Sequence, residues 1–301
     1  MIFEIKESLL DRLADAKLSD LVCDIMDGHH YIKCTPKIRA KIDKCISENA
    51  STTHYELYQS YMGFDIPTNL RKYLKLLDLS AFEDDQIYAL VKKQSLLIVE
   101  NELNEWPVYR HIIHAYTKDR KFGNYYQMLD YAVDKTLTAH TSGGYGQYVQ
   151  VLDVYDKKYN GVFKYKSCTL FDRDTNDATY FDQNKGKLFK KICGKEINEI
   201  IDDDIYTLNQ PVFIWHMWYK RAIENYFPVE NFKKIGVDIS KIVGDSDYFK
   251  FDQTTYSKSD LPKLTDGMTY KKYEDNLKHF PYYGESVSEI QLFLLKLLQI
   301  I

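Results

Sequence analysis

The sequence predicts an α/β fold in which helices flank a parallel sheet. Two observations predict it. Leu96-Leu97-Ile98-Val99-Glu100 and Leu170-Phe171-Asp172-Arg173-Asp174 are short apolar runs that end abruptly in carboxylates. A buried parallel strand that delivers acids to the rim of a sheet reads this way, whereas an exposed strand would alternate and an amphipathic helix would repeat every three to four residues. Around these runs, strand-like and helix-like segments take turns from residue 91 to residue 226, as expected of right-handed crossovers between parallel strands.

Taken in order, residues 1–90 read as a mainly helical N-terminal region. Ile5, Leu9, Leu10, Leu13 and Leu18 suggest one amphipathic helix and residues 69–77 another, with turns at Asp27-Gly28 and Pro36. Residues 91–230 form the α/β unit. Strands are expected at 95–100, 135–141, 165–172 and 205–208, the second closed by Ser142-Gly143-Gly144. Helices are expected at 105–118, 146–159 and 185–193, and a long aromatic one at 212–226. Residues 231–301 are a C-terminal extension, irregular at first and closing with a helix over 285–301. Ser286 or Ser288 can cap that helix, and Ile290, Phe293, Leu294, Leu297 and Leu298 give it an apolar face.

The chain of 301 residues is 45% apolar, with 26 tyrosines and 15 phenylalanines, which is enough to fill a substantial core. A formal charge of −4 gives no global basic signature, so contact with nucleic acid would rest on local patches and metal ions. Cys23, Cys34, Cys45, Cys168 and Cys193 are odd in number and form no CxxC pair, as expected of reduced intracellular thiols. Glu4, Lys6 and Glu7 stand where a signal peptide needs an apolar run. No apolar stretch reaches the roughly 18 residues of a spanning helix. A cytoplasmic protein with no membrane attachment is expected.

The acids are the chemical signal. Residues two apart in a strand point to the same side, so Asp172 and Asp174 should face together where their strand opens into a loop. Glu100 ends another strand, and neighbouring strands lie about 4.8 Å apart. Ligands of open parallel sheets sit outside the carboxyl ends of the strands, where these acids fall. Carboxylates held together repel unless they are protonated or neutralised, and Mg²⁺ or Mn²⁺ would remove that cost. The alternative from spacing alone is a solvated turn at Asp172 and Asp174 and a helix cap at Glu100.

Four stretches, in order, carry a resemblance: Ile98-Val99-Glu100-Asn101, Ser142-Gly143-Gly144, Leu170-Phe171-Asp172-Arg173-Asp174, and Lys220-Arg221-Ala222-Ile223-Glu224-Asn225-Tyr226-Phe227. Together they resemble the TOPRIM (Rossmann-like) module of topoisomerases, bacterial primases and the overcoming-lysogenization-defect (OLD) nucleases. They are most similar to its OLD-like branch in anti-phage systems such as PARIS. The resemblance covers roughly residues 92–230. It implies a Mg²⁺-dependent phosphodiesterase in which Glu100, Asp172 and Asp174 bind metal and carry catalysis, Glu100 serving as ligand or as general base or acid. Glu224 becomes either a further ligand or a helix anchor. The family often has Gly after the first Glu and an acid four residues beyond it; Asn101 and Asn104 stand there in this chain. Glu105 either supplies the missing carboxylate after a local shift, or a second ion is weakly held. The resemblance also implies a regulatory partner, often an ATPase, for which residues 1–90 are the docking candidate, and it is compatible with a homodimer.

Other residues are read both ways. Gly143 and Gly144 would let backbone N–H groups approach a phosphate, or simply make a tight turn. Lys185, Lys187, Lys190 and Lys191, with Lys195, could track a phosphate backbone or form a solvated face, the latter favoured by Glu196, Glu199, Asp202, Asp203 and Asp204 just beyond. Cys23, His29, His30 and Cys34 fit no standard zinc spacing. His111, His114, His140 and His216 read as surface or packed histidines, and Trp215, Trp218 and Tyr219 as core. The leading expectation is a metal-dependent nuclease of DNA or RNA, transfer RNA included, acting as a defence effector. The competing one is a TOPRIM-shaped binding or assembly module without chemistry, motivated by Asn101 and Asn104. Primase- or topoisomerase-like work ranks below both, because no nucleotide-binding companion or zinc ribbon accompanies the motifs.

Overall fold

A computed structural model describes every residue except 178–180, 202, 203, 205, 207–211, 243–245, 276 and 283. It meets the α/β expectation. Strands β1 (Ile2–Glu4), β2 (Tyr31–Lys33) and β3 (Leu76–Asp78) form a small parallel sheet in the order β2-β1-β3. A second parallel sheet holds β4 (Ser95–Val99), β5 (Leu137–Thr141), β6 (Ser167–Phe171) and β7 (Ile214–Met217) in the order β5-β4-β6-β7. Its register sets Leu96 opposite Ser167 and Cys168 opposite Ile214. An antiparallel hairpin of β8 (His279–Tyr282) and β9 (Glu285–Ser288) precedes the C-terminal helix Glu289–Leu298.

The inner strands β4 and β6 are buried at all five positions, which is why they carry no alternation. The edge strand β5 keeps only Leu137 fully buried. Strand β7 is also an edge, yet all four of its residues are buried because the C-terminal helix covers it. Lys296 Nζ donates to the Trp215 carbonyl at 2.7 Å, and the Trp218 and Phe293 rings lie 5.2 Å apart. Leu292, Phe293, Leu294, Leu295, Leu297 and Leu298 of that helix are wholly inaccessible. Side chains of this kind contribute about 1.5–3 kcal/mol each on burial, so the helix is part of the core. Ser288 is its cap, accepting from the Gln291 N–H at 3.2 Å while Gln291 Oε1 accepts from the Ser288 N–H at 2.8 Å. Among the described residues no helix is long and apolar enough to cross a membrane.

Helices α1 (Glu7–Leu10), α2 (Asp15–Asp27), α3 (Pro36–Asn49), α4 (Thr52–Gln59) and α5 (Asp84–Lys92) accompany the first sheet, with α3, α4 and α5 packed on α2. Helices α6 (Glu102–Tyr116), α7 (Gly123–Ala132), α8 (Tyr145–Lys158) and α9 (Gly186–Cys193) belong to the second.

Residues 1–90 hold five helices and also a small parallel sheet, whose strands of three residues are too short to leave a period in the sequence. Three expectations are corrected. The helix expected over residues 69–77 is a series of turns leading into β3, whose Leu77 pairs with Phe3. The aromatic helix expected over 212–226 is β7 followed by a 3₁₀ turn, Ile223–Tyr226, since a short aromatic run holds no period that separates strand from helix. The last helix starts at Glu289 rather than 285, the preceding residues being β9. The strand expected at 205–208 falls, apart from Tyr206, outside the described residues.

Candidate functional site

The site is built at the carboxyl ends of β4 and β6. Glu100 follows β4, and Asn101 then caps α6, its side chain accepting from the Asn104 N–H at 3.4 Å. Glu105 reaches back to the Asn101 N–H at 3.0 Å and also accepts from the Tyr109 hydroxyl at 2.9 Å. It is buried, and burial pushes its carboxyl up to about 7 against the pull of Lys258. Glu105 is therefore a capping acid with each oxygen held by a protein donor. Asn101 stands at the helix start as its cap, and Asn104 meets it through its backbone N–H.

Strand β6 ends at Phe171, and residues 172–174 are loop. Asp172 is almost wholly buried; its Oδ1 accepts from the Ile223 N–H at 3.1 Å. Burial raises its carboxyl well above the usual range, and the nearby charges of Glu224, Asp174 and Glu105 act in the same direction. Asp174 takes a left-handed backbone, φ +62°, and its N–H donates to the Arg221 carbonyl at 2.9 Å. The alternation expected of a strand thus does not hold beyond Phe171. Asp172 and Asp174 nonetheless line one cleft, because the loop turns back on itself.

Lys185 locks that turn. It is completely buried, and its Nζ donates to the carbonyls of Asp172 (2.7 Å) and Arg173 (2.8 Å) and to Asp174 Oδ2 (3.0 Å). The expectation that Lys185 tracks a phosphate backbone is corrected accordingly, since a lysine buried against its own loop presents no charge to solvent. Lys190 pairs with Glu196 at 2.7 Å, Lys191 with Asp153 at 2.5 Å and Lys195 with Asp204 at 2.6 Å, while Lys187 is exposed. Most of this run is a surface of ion pairs.

Two more elements complete the cleft. The turn Ile223–Tyr226 brings in Glu224, which is 3% exposed. Its Oε1 accepts from the Tyr256 hydroxyl at 3.3 Å, and its Oε2 has no hydrogen-bond partner among the described residues. The C-terminal extension brings in Lys258, the first residue of a 3₁₀ helix, Lys258–Thr265, that packs on α6. Lys258 Nζ lies 3.6 Å from Glu100 Oε2 and 3.8 Å from Asp172 Oδ2, so those two oxygens are no farther apart than the sum of these distances. Burial opposes its charge, but Asp172, Glu224, Glu100 and Glu105 together hold its pKa well above the ordinary lysine value. The cleft encloses about 250 Å³ and is lined by Asp172, Asp174, Arg221, Glu224, Tyr256 and Lys258, among others.

The glycine loop sits beside Glu100. The Ser142 N–H donates to the Val99 carbonyl at 2.7 Å, and the Gly143 N–H faces the Glu100 carbonyl and Thr141 Oγ1, each at 3.3 Å. The Gly144 N–H faces Ser142 Oγ at 3.3 Å. Gly143 (φ +74°) and Gly144 (φ +105°) make a turn that L side chains rarely adopt. The Gly143 N–H braces the Glu100 carbonyl, and the Gly144 N–H is taken up within the turn by Ser142.

Of the residues expected from the sequence, Glu100, Asp172, Asp174, Glu105 and Glu224 come to one end of the sheet, with Gly143 against the Glu100 carbonyl. The lysines of α9, apart from buried Lys185, do not join them. Lys258 and Tyr256 were missed, since they lie in an irregular segment without periodicity and only the Tyr-x-Lys spacing hints at a shared direction. Among the described residues no three His, Cys, Asp or Glu side chains stand as a ready ligand set for a metal. The donors nevertheless suit a hard divalent cation: they are carboxylate oxygens, one of them buried without a partner, close to the Lys258 ammonium. Cys23, His29, His30 and Cys34 remain turn and core residues, with His30 packed edge-on against Phe3. Compared with protein-family models, curated proteins and solved structures, the chain matches none.

Proposed function

We propose that the chain is a Mg²⁺- or Mn²⁺-dependent phosphodiesterase acting on nucleic acid. The observation that carries this reading is the meeting of Glu100 and Asp172, from the ends of two adjacent parallel strands, at one cation beside the partnerless oxygen of Glu224. Asp172, Glu100 and Glu224 would hold the ion, with Asp174 beside them. When bound, a divalent ion neutralises charge on a phosphate and lowers the pKa of water. The chain's own groups do the rest. Glu100, whose side chain is 36% exposed and faces Lys258 at the rim of the cleft, is the acid that would take a proton from water there. Arg221 and Lys258 line the opening and can orient phosphate oxygens. Lys185 fixes Asp172 and Asp174 by holding their loop.

The TOPRIM-like order of the motifs supports placing this chemistry in a nuclease of the OLD-like branch, working as a defence effector under a partner such as an ATPase. The second reading, a binding or assembly module without chemistry, is favoured by one observation: an ammonium already stands between Glu100 and Asp172. Incubating the purified chain with plasmid DNA and with total RNA, in Mg²⁺ and in EDTA, separates the two. Cleavage that needs Mg²⁺ and disappears in Glu100→Gln supports the enzyme; equal cleavage by Glu100→Gln, or none by either protein, removes it.

A further inference from the structure

We propose that Lys258 is a tethered cation that competes with the divalent ion, so that the C-terminal extension keeps the cleft closed to metal until this side chain is drawn away. The inference deepens the metal-dependent reading and rests on it. Its first ground is position. Lys258 Nζ stands 3.6 Å from Glu100 Oε2 and 3.8 Å from Asp172 Oδ2, acids that arrive on two different strands. A divalent ion bridging those acids would claim the same space and the same charge.

The second ground is that the ammonium leaves the cleft incompletely satisfied. Glu224 is 3% exposed and lines the same cleft, and its Oε2 has no hydrogen-bond partner among the described residues. A buried carboxylate oxygen without a donor is costly. Lys258 offers three donors on one compact head, but it lies at ion-pair rather than hydrogen-bond distance from the two acids it faces. A divalent ion would suit Glu100, Asp172 and Glu224 better than the one ammonium that faces them.

The third ground is that Lys258 can leave. Its side chain is 48% exposed, and it begins its 3₁₀ helix, so rotation of the flexible stem carries the ammonium to solvent without moving the backbone. Lys185 is the contrast: fully buried and bound to two carbonyls and Asp174, it cannot move without breaking the loop. A phosphodiester arriving at the cleft mouth offers Lys258 an alternative anionic partner. Binding of the nucleic-acid backbone and entry of the metal therefore favour each other.

Calorimetric titration of Mn²⁺ into the full chain and its variants tests this. Lys258→Met should bind Mn²⁺ about tenfold or more tightly than the parent, and Lys258→Arg, which keeps the charge, should stay within about threefold of it. Asp172→Asn should lose the binding heat. Thermal melting guards against misfolding: Lys258→Met should melt lower than the parent in EDTA and recover when Mn²⁺ is added. If Lys258→Met does not fold, Lys258→Gln, with a neutral polar head, answers the same question. Equal or weaker Mn²⁺ binding by the neutral variant overturns the competition and leaves the metal reading standing. Absence of binding in the parent and in every Lys258 variant overturns both.

Discussion

Replacing Lys185 by Met should destabilise the protein by about 2–4 kcal/mol. The side chain is wholly buried, and its Nζ donates to the Asp172 carbonyl at 2.7 Å, the Arg173 carbonyl at 2.8 Å and Asp174 Oδ2 at 3.0 Å. Methionine keeps the apolar stem and removes the donors. Hydrogen bonds from a charged donor contribute about 1.5–3 kcal/mol each, so the two carbonyl bonds amount to about 3–6 kcal/mol before costs. The pair with Asp174 adds only about 0–1 kcal/mol, because that carboxylate is 32% exposed. Burial of the ammonium works the other way. It pushes the lysine's pKa down although Asp174 pulls it up, so relieving it offsets part of that gain. Urea unfolding followed by tryptophan fluorescence reads the difference, since Trp215 and Trp218 are both buried. A loss below about 1 kcal/mol would refute the assignment of Lys185 as the anchor of this loop. The bond from the Asp174 N–H to the Arg221 carbonyl would then be the better candidate.

Gly143→Ala should cost about 1–2 kcal/mol in denaturant unfolding, because φ is +74° and the new methyl would lie 2.6 Å from Gln147 Oε1; no change would mean that the loop reorganises freely. Ser288→Ala should lower stability by about 1–2 kcal/mol through loss of the acceptor for the Gln291 N–H and of the bond to Glu274 at 2.6 Å, and Ser288→Thr should restore most of it. Glu289 is buried, and burial pushes its carboxyl up to about 7. The folded protein thus keeps this proton between about pH 4.5 and 7, where the unfolded chain has released it. The stability tied to it is complete below the unfolded pKa and is lost as pH rises through 7. Glu289→Gln, a mimic of the protonated acid, should match the parent at pH 4.5 and exceed it by about 1–3 kcal/mol at pH 8, whereas an equal difference at both pH values would contradict the assignment.

Strands β4 and β6 were legible because burial on both faces removes alternation and leaves an apolar run that stops at an acid. The meeting of Asp172 with Asp174 was legible in outcome but not in cause. Strand alternation was the expected reason, and the observed one is a left-handed loop pinned by Lys185, a residue that reads from the sequence as solvent-facing. Strand β7 was lost to the helix expectation because Trp215 and Trp218 stand at helical spacing, while burial on both faces of β7 removes the alternation that would mark a strand. Lys258 was invisible for a deeper reason. Its position depends on how Lys258–Thr265 packs on α6, a contact between segments far apart in the chain that no local pattern encodes. The same holds for the glycine loop, whose positive φ follows from residue type while the partners of its N–H groups follow from where β4 ends.

The most direct test of the site is anomalous diffraction from crystals of the full chain soaked in Mn²⁺. The account predicts one peak in the cleft, within bonding distance of Asp172 and of Glu100 or Glu224, with the Lys258 ammonium displaced from between them. Mn²⁺ bound only elsewhere, with Lys258 still seated between Glu100 and Asp172, would contradict it.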